Sequence, residues 1–455
     1  MTLPRYPEYR ASGVEWLGEV PMHWKVQALG TALAGVVNGA TPSTEDNQYW
    51  DGNVVWVTPV DISQNSKLTH SQRSISHQGL ESCSARIVPA GTIVITSRAP
   101  VGNVAIAQVP LATNQGCKSL LINKDITNSG FLYYVINSFS VIFQNIANGS
   151  TFQEITTSKL KSVAIVVPPL PEQHAIVTYL DRETARLDDL IEKKRRLLAL
   201  LKERRTAVIT HAVTKGLPAD EARAAGLPVD PPMKDSGVEW LGEVPAHWVV
   251  SDLGACSSKV GSGKTPLGGA ETYETEGVPF LRSQNIHNEG LRLTDVVFIN
   301  DHVHNAMMSS AVNPGDNLLN ITGASIGRSC VAPINLPAAN VNQHVCIIRA
   351  RPDTVVNYYL HFYIISAVFQ DYINGVQNGT SRQGLNFQQI RASAIGIPPL
   401  PEQRAIVAYL DRETARLDDL AAKVEAAIAA LGEYRTALIT AAVTGQVDVR
   451  GAVEA

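Results

Sequence analysis

Hydrophobic residues recur at every seventh position in two long stretches of the chain. The seam positions are Leu180, Leu187, Leu201 and Val208 in the first stretch and Leu410, Leu417, Val424, Leu431 and Leu438 in the second. Lys194 interrupts the first seam, and Leu420, Ala427 and Ala441 supply a second set of apolar positions in the later stretch. A repeat sustained over about four heptads is typical of a coiled coil.

The two stretches, Pro168–Thr214 and Pro398–Thr444, are near-copies. Between Pro168 and Leu190, PPLPEQHAIVTYLDRETARLDDL, the copy differs only where Arg404 replaces His174 and Ala408 replaces Thr178. A period of about 230 residues indicates a duplicated domain unit, not a solenoid. Pro171 and Pro401 suit a first helical turn, and Gly216 and Gly445 follow as stop signals.

Each stretch is therefore predicted to form a helix of about 42 residues, or about 60 Å at 1.5 Å per residue. Two such helices in one chain most simply pair with each other. The alternative is that each helix packs only on its own globular domain.

A shorter box precedes each globular segment. Ser12–Pro21 and Ser236–Pro245 both read SGVEWLGEVP, and each is followed by a His-Trp pair one residue later. We expect these boxes to pack their tryptophans, Trp16, Trp24, Trp240 and Trp248, against a neighbouring element. Binding of a partner protein by these aromatic residues is the alternative.

Residues 25–167 and 249–397 lack long helical periodicity and are rich in Val, Ile, Thr, Asn and Gly. Their short apolar runs between turn residues predict strands. The predicted strands of the first segment are Val54–Thr58, Gly91–Thr96, Leu120–Asn123 and Val163–Val167. Phe131–Asn145 and Tyr358–Ile373 are the predicted main helices. The fold class is thus α+β, with two mixed domains joined by two long antiparallel coiled-coil helices in a pseudo-two-fold repeat.

The two globular segments are distantly alike. Gly39-Ala-Thr-Pro matches Gly263-Lys-Thr-Pro, Asn114-Gln matches Asn342-Gln, and Asn148-Gly-Ser-Thr matches Asn378-Gly-Thr-Ser. The outer boxes and helices are nearly identical while the middles diverge. This pattern is typical of one scaffold used twice to recognise two different things.

These patterns divide the chain into a box (1–24), a first domain (25–167), a first helix (168–216), a linker with the second box (217–248), a second domain (249–397), a second helix (398–445) and a tail (446–455). The linker is Pro- and Ala-rich and has no periodicity. The tail is expected to fray.

Composition narrows the class of protein. Hydrophobic residues make up 45% and charged residues 18%, which is ordinary for a globular protein. We expect no membrane span and no secretory signal, and the five scattered cysteines favour a reducing cytoplasm. The net charge of −4 weakens a nucleic-acid interpretation, although the first helix carries a basic cluster whose alternative role is that of a solvated face.

Candidate catalytic motifs are weak. Gly261-Ser-Gly-Lys-Thr resembles a phosphate-binding loop, but Ser258 stands where the motif needs glycine, so a turn is the better interpretation. Histidines show no metal-binding spacing. Nothing in the sequence indicates catalysis.

Polar residues cluster instead at predicted strand ends. In the first segment they are Thr58, Asp61, Thr96, Ser97, Arg98, Asn114, Gln115, Thr151 and Gln153. In the second they are Lys264, Arg282, Ser283, Gln284, Asn285, Thr322, Arg328, Asn342, Gln343, Arg382 and Gln383. Arg, Asn and Gln side chains can make paired hydrogen bonds to guanine and adenine edges. For any single residue, ordinary loop polarity is the alternative.

The duplicated helix, the GVEWLGEVP-x-His-Trp boxes and the Gly-x-Thr-Pro elements together resemble the specificity subunit of a type I restriction–modification system. The resemblance covers nearly the whole chain. It implies two target-recognition domains, each for one half of a split site in double-stranded DNA, and no catalysis by this chain. It also implies docking of two modification (methyltransferase) subunits, which bind S-adenosylmethionine, and association with restriction/translocase subunits.

Two alternatives stay open. One is a non-catalytic coiled-coil scaffold whose duplicated domains bind protein or glycan, and the other is an enzyme with an unrecognised site. If the chain does recognise DNA, the helix length is predicted to set the spacer between half-sites.

Overall fold

A computed structural model describes residues 3–147, 154–377 and 384–452 of the chain. The chain divides into two compact units. Unit 1 comprises Met1–Lys194 with Ala426–Ala455, and unit 2 comprises Arg195–Glu425. Each unit therefore receives part of both long helices, and unit 1 is assembled from two separate stretches of chain.

Unit 1 holds the first globular segment. Its strands are β1 (Tyr9–Ala11), β2 (Glu19–Pro21), β3 (Lys25–Ala28), β4 (Leu33–Asn38), β5 (Trp50–Val57), β6 (Lys67–Leu68), β7 (Ser74–Ile75), β8 (Ile93–Thr96), β9 (Val104–Ala107), β10 (Ala112–Thr113), β11 (Cys117–Ile122) and β12 (Ala164–Val167). Its helices are α1 (Pro59–Gln64), α2 (His77–Glu81), α3 (Ser129–Ser138), α4 (Ser140–Ile146), α5 (Thr157–Ser162) and the first part of α6 (Leu170–Lys215). Short 3-10 turns lie at Leu29–Ala32, Asn47–Tyr49 and Arg450–Ala452.

The sheets of unit 1 are small and mixed. A five-stranded sheet has the order β4-β11-β8-β9-β6, antiparallel except for the β6–β9 pair. A three-stranded sheet has the order β10-β5-β7, with β10 parallel to β5. The pairs β1–β2 and β3–β12 complete the unit. The core between the larger sheet and the helices contains Phe131 and Phe143, both at 0% exposure.

Unit 2 holds the second globular segment. Its strands are β13 (Met233–Asp235), β14 (Glu243–Pro245), β15 (Val249–Asp252), β16 (Ser257–Ser262), β17 (Val278–Leu281), β18 (Ile286–His287), β19 (Gly290–Leu291), β20 (Val297–Ile299), β21 (Asn317–Asn320), β22 (Ser329–Val331), β23 (Asn340–Val341), β24 (Val345–Ala350) and β25 (Ala394–Ile397). Its helices are α7 (Ala219–Ala224), α8 (Asp301–Ala306), α9 (Asn357–Ile365), α10 (Ala367–Gln377), α11 (Phe387–Ala392) and the first part of α12 (Leu400–Val443). Its 3-10 turns lie at Gly269–Thr272, Ser283–Asn285, Met308–Ser310 and Gly323–Ser325.

The sheets of unit 2 repeat those of unit 1 except that β6 has no counterpart in the larger sheet and the two-stranded β18–β19 sheet is added. The order β16-β24-β21-β22 corresponds to β4-β11-β8-β9, and β20-β17-β23 again contains one parallel pair, β17–β23. The pairs β13–β14 and β15–β25 correspond to β1–β2 and β3–β12. The prediction of a duplicated α+β domain is confirmed, and the predicted strands of the first segment are present as β5, β8, β11 and β12.

The long helices run antiparallel within each unit. In unit 1, Asp188 of α6 pairs with Arg435 of α12 at 2.8 Å. In unit 2, Arg205 of α6 pairs with Asp418 of α12 at 2.9 Å. Of the predicted seam residues, Leu180, Leu187, Val208, Leu410, Leu417 and Leu438 are buried, and Leu201, Val424 and Leu431 are half-buried. The heptad pattern therefore marks the faces that pack.

A buried carboxylate fixes each box to the start of a long helix. Glu172 accepts hydrogen bonds from Trp24 Nε1 at 3.1 Å and His23 Nε2 at 2.9 Å. In unit 2, Glu402 accepts the same pair of bonds, from Trp248 Nε1 at 3.0 Å and from His247 Nε2 at 2.8 Å. The Pro-Glu-Gln sequence at both helix starts thus supplies the acceptor that a buried indole needs.

The expected packing of the tryptophans holds for only part of the set. Trp24 and Trp248 are 1% exposed. Trp240 lies half-buried with its ring 4.8 Å from that of Tyr372. Trp16 is 47% exposed, so the expectation is wrong for that residue.

The predictions of the two main helices are corrected. Each predicted main helix is in fact two helices. The helix is interrupted at Phe139, between α3 and α4, and at Ser366, between α9 and α10. The backbone of Ser366 is extended, which ends α9, and the Ser366 hydroxyl donates to Tyr363 O. The linker contains a short helix, α7.

The described residues of the tail, 446–452, are held against unit 1. Val449 is fully buried in the core of unit 1, and the Asp448 amide donates to Pro4 O at 2.8 Å. The Tyr9 hydroxyl donates to Gly445 O at 2.9 Å. The expected fraying is wrong because a buried side chain and backbone hydrogen bonds hold this segment to the first residues of the chain.

Helix α12 is long and apolar enough, by length and composition alone, to cross a membrane: an 18-residue window has a mean hydropathy of 1.2 and is 22% buried. The sequence prediction of no membrane span did not anticipate this window. Leu438, Ile439, Ala442 and Val443 at its end lie in the core of unit 1, which accounts for part of its apolar character.

Candidate nucleic-acid interface

Strand ends bring the predicted polar residues of unit 1 together. Strand β10 runs parallel to β5 and pairs Thr113 with Val57, so Asn114 and Thr58 emerge side by side. Strand β11 pairs Cys117 with Thr96, which places Ser97 and Arg98 at the same end. We call this set, Thr58, Thr96–Arg98 and Asn114–Gln115, the polar edge of unit 1.

Equivalent pairings build the polar edge of unit 2, which comprises Arg282–Asn285, Thr322 and Asn342–Gln343. Leu281 pairs with Val341, and the Asn342 amide donates to Leu281 O at 3.0 Å. The Asn320 side chain donates to Ser283 O at 2.8 Å, which ties the end of β21 to the same place. The same backbone therefore presents different side chains in the two units.

The Gly-x-Thr-Pro segments lie directly against the polar edges. A Cβ atom on Gly39 would stand 1.8 Å from Asn114 O, and one on Gly263 would stand 1.6 Å from Val341 O. Only glycine allows this approach. It brings the Thr41 hydroxyl into a hydrogen bond with Gln115 Oε1, and the Thr265 hydroxyl into the same bond with Gln343.

Several predicted site residues hold the backbone instead of facing solvent. Asp61 is 3% exposed and accepts from the Thr58 amide at 2.8 Å, the Thr58 hydroxyl at 2.7 Å and the Gln72 amide at 2.8 Å. Its counterpart Asn285, 1% exposed, accepts from the Arg282 amide at 2.9 Å. These are capping interactions, which satisfy backbone amides at a helical turn.

Buried polar residues also brace the turns. Thr96 is fully buried, and its hydroxyl donates to Pro100 O at 2.6 Å and accepts from the Asn103 amide at 3.0 Å. Ser97 is 1% exposed. Asn114 and Asn342 accept from the amide two residues further on, at 3.0 Å in both units. Asp61, Thr96, Asn285 and Asn342 are thus buried and bonded to backbone amides, and Ser97 is buried. Direct contact of these five residues with DNA stays a prediction.

The remaining predicted residues are accessible. Arg98, Gln115, Lys264, Gln284, Arg328 and Gln343 are exposed, and Thr58, Asn114, Arg282, Ser283 and Thr322 are half-buried. Arg282 is partly committed, since its Nη2 donates to Asp295 O at 3.0 Å. Thr151, Gln153, Arg382 and Gln383 lie outside the described residues. Contact of the accessible residues with DNA stays a prediction.

The structure adds residues that the sequence analysis missed. In unit 1, Arg98 Nε donates to Glu154 Oε2 at 3.1 Å. In unit 2, the Thr322 hydroxyl hydrogen-bonds to His344 Nδ1 at 2.6 Å, and His344 Nε2 lies 3.1 Å from Gln343 Nε2. His344 could have been found from its place directly after the Asn-Gln pair, but Glu154 lies 56 residues from Arg98 and carried no such signal.

A volume exchange explains why only unit 2 carries this histidine. The position of His344 is Gly116 in unit 1, where a Cβ would stand 3.0 Å from Pro59 Cγ. Ser283 takes the place of Pro59 in unit 2. The smaller serine leaves room for the imidazole, so the two polar edges differ in shape as well as in chemistry.

Lys118 adds a buried cation beside the polar edge of unit 1. It is 7% exposed, and its Nζ donates to Asn38 Oδ1 at 3.0 Å. Burial lowers the pKa of its ammonium group, while the nearby carboxylate of Glu154 opposes that shift. Among the described residues, no group of three or more His, Cys, Asp or Glu side chains could hold a metal ion.

The chain is similar in sequence to known specificity subunits. A family model described as the type I restriction modification DNA specificity domain matches residues 21–199 and 245–430. The MjaIX specificity subunit of Methanocaldococcus jannaschii is 30% identical over 394 residues, 85% of each chain. The EcoBI specificity subunit of Escherichia coli is 22% identical over 76% of this chain and 71% of its own.

Two solved structures share the fold. One, from work on complex assembly and conformational transition of the type I R-M system, has a TM-score of 0.66 at 19% identity and covers 93% of this chain and 98% of its own. The HsdS subunit from Thermoanaerobacter tengcongensis has a TM-score of 0.52 at 19% identity, over 94% of this chain and 98% of its own.

Proposed function

Because the chain belongs to the type I restriction–modification DNA specificity family, we propose that its two polar edges each recognise one half of a bipartite target in double-stranded DNA. The observation that carries this proposal is the pairing of constant backbone with variable side chains. Arg98 and Gly116 in unit 1 are replaced by Thr322 and His344 on the same strand ends of unit 2, whereas Gln115 and Gln343 are the same residue type. Two half-sites of different sequence follow, because base edges are distinguished by the donors and acceptors that meet them.

The long helices supply the second part of the proposal. They dock two modification subunits, and their length sets the spacer between the half-sites. Exposed positions along them include Leu197, Leu200, Leu420 and Tyr434, which are apolar enough to serve as contact residues. S-adenosylmethionine belongs to the modification subunits, and restriction/translocase subunits complete the nuclease. The chain itself contributes recognition and no catalytic group, and it works in the cytoplasm, where its DNA target is.

The modest charge of the chain fits a shared interface. With a net charge of −4, the chain alone offers few cations for phosphate contacts, which usually provide most of the affinity for DNA. The partner subunits would then carry much of that electrostatic contribution. We therefore expect the isolated chain to bind DNA weakly and the assembled complex to bind tightly, with a steep salt dependence.

Methylome sequencing tests the proposal. A host that expresses the modification subunit is compared with and without the gene for this chain. The expected result is a bipartite, asymmetric adenine-methylation motif that disappears when the gene is deleted. An unchanged methylome, with the modification subunit expressed, would refute DNA recognition and favour a scaffold whose domains bind protein or glycan.

A further inference from the structure

The two polar edges differ in charge at the position two residues after β8 and β21. Arg98 follows β8 as Thr322 follows β21, and each makes an isolated bridge to the segment that leads into the next helix, Arg98 to Glu154 and Thr322 to Gly384. The backbone is thus the same in the two units. In unit 1 the position carries a long cation, whereas in unit 2 it carries a short hydroxyl.

The Arg98 side chain is oriented by Glu154. The Nε of Arg98 donates to Glu154 Oε2 at 3.1 Å, with the side chains 49% and 39% exposed. Engagement of Nε leaves the two terminal nitrogens of the guanidinium available for a ligand, and their spacing matches two parallel acceptors. Guanine presents such a pair, O6 and N7, in the major groove.

We propose that Arg98 recognises a guanine in the first half-site and that Glu154 is its positioning residue. This inference rests on the proposed function. An exposed arginine loses about 2 kcal/mol of rotamer entropy when it is fixed. An ion pair made before DNA arrives removes part of that loss from the binding step, so Glu154 raises affinity only through Arg98.

The local charge supports an arginine that remains available. Lys118 lies close enough to interact electrostatically with both Glu154 and Arg98. Two cations therefore share one carboxylate in this part of unit 1. Two cations and one carboxylate leave a net positive charge in this part of unit 1, which favours an anionic ligand such as DNA.

Unit 2 provides an internal comparison. The Thr322 hydroxyl is hydrogen-bonded to His344 Nδ1 at 2.6 Å, and threonine lacks the two parallel N–H donors that arginine offers. The half-site read by unit 2 is therefore expected to lack an arginine-dependent guanine contact at the equivalent step. Substitutions at Thr322 are expected to alter the second half-site alone.

The experiment is selection of bound sequences from DNA in which both half-sites are randomised, using the full chain assembled with its modification subunits. The variants are Arg98→Ala, Glu154→Gln, the double variant and Thr322→Ala as the matched control. Arg98→Ala should lower the preference for guanine at one position of the first half-site by roughly 5- to 150-fold. The second half-site, selected in the same molecule, reports that the complex is folded and bound.

Glu154→Gln keeps the size of the side chain but removes its charge. It should lower the preference for guanine at the same position by about three- to tenfold, and should have no further effect when Arg98→Ala is present. A residue with a structural role alone would weaken binding to all sequences equally and leave base preference unchanged.

The inference is overturned if the base that depends on Arg98 is not guanine, if Arg98→Ala leaves the first half-site intact, or if Glu154→Gln acts equally with and without Arg98. These results would leave the proposed function standing as long as the unmodified complex selects a bipartite motif. Absence of any motif in the unmodified complex would instead refute the proposed function.

Discussion

Replacement of Glu402 by alanine tests how the box is held to the long helix in unit 2. The carboxylate is 6% exposed and accepts from the indole of Trp248, a residue that is 1% exposed. Glu402→Ala leaves this indole N–H buried without an acceptor, which costs about 1–3 kcal/mol. Loss of the bond to His247, whose side chain is 33% exposed, adds less because water can replace it.

We expect the free energy of local opening around Trp248 to fall by about 3 kcal/mol in total. A Cβ on Gly396 would stand 3.0 Å from the Trp248 ring, so the β15–β25 pair lies directly against this indole. Native-state hydrogen exchange of the β15–β25 amides should become about 100-fold faster, since each 1.4 kcal/mol is a factor of ten. The equivalent β3–β12 amides of unit 1 serve as the internal control.

Glu402→Gln separates the acceptor from the charge. Glutamine keeps an oxygen for Trp248 Nε1, and its amide can donate to a neutral imidazole of His247, so exchange should accelerate less than tenfold. Equal acceleration in Glu402→Gln and Glu402→Ala would show that charge, not the indole hydrogen bond, holds the box. Unchanged exchange in Glu402→Ala would refute the reasoning altogether.

Three further predictions address the polar edge, the core and the helices. Gly263→Ala should abolish recognition of the second half-site while recognition of the first persists, because the added Cβ would stand 1.6 Å from Val341 O. Selection of bound DNA sequences is the measurement. Gly261→Ala is the control, since its Cβ would have no atom within 4 Å. Burial lowers the pKa of His361 to about 4, whereas the imidazole in the unfolded state has an ordinary pKa near 6.5 and therefore binds a proton first as the pH falls. The free energy of unfolding of unit 2 should therefore decrease by about 2 kcal/mol between pH 7 and pH 5. Hydrogen exchange measures this decrease, and His361→Phe should remove its pH dependence. Insertion of four residues, about one helical turn, after Leu197 should lengthen the spacer in the methylation motif, and an unchanged spacer would contradict the role of the helix as a ruler.

The repeats allowed much of the architecture to be predicted. Heptad spacing identified α6 and α12, and matched motifs such as Gly39 with Gly263 identified the duplicated domain, because these features are local in sequence. The breaks at Phe139 and Ser366 were missed because no Gly or Pro marks either of them and the interruption depends on tertiary contacts. One such contact is the Ala367 amide donating to Thr210 at 2.9 Å.

The strand ends that carry the polar residues were predictable from the sequence, but the contacts of each side chain were not. Polar residue type located the strand ends correctly, yet it does not distinguish a free side chain from one that caps backbone amides, as Asp61 and Asn285 do. Glu154 was invisible for a different reason, because its pairing with Arg98 spans 56 residues and arises only when the strands assemble. The docking of Val449 likewise required the first residues of the chain to be in place.

The discontinuity of unit 1 has a consequence for biosynthesis. Unit 2 is one continuous stretch, Arg195–Glu425, and unit 1 lacks Leu438, Ile439 and Val449 of its core until about 230 further residues have left the ribosome. At translation rates of about 5–20 residues per second, the first domain waits roughly 10–50 s with the buried face of Leu180 and Leu187 uncovered. The part of the chain that is made first is therefore completed last, and a nascent chain stalled before Ala426 presents an apolar helix face for chaperones to bind.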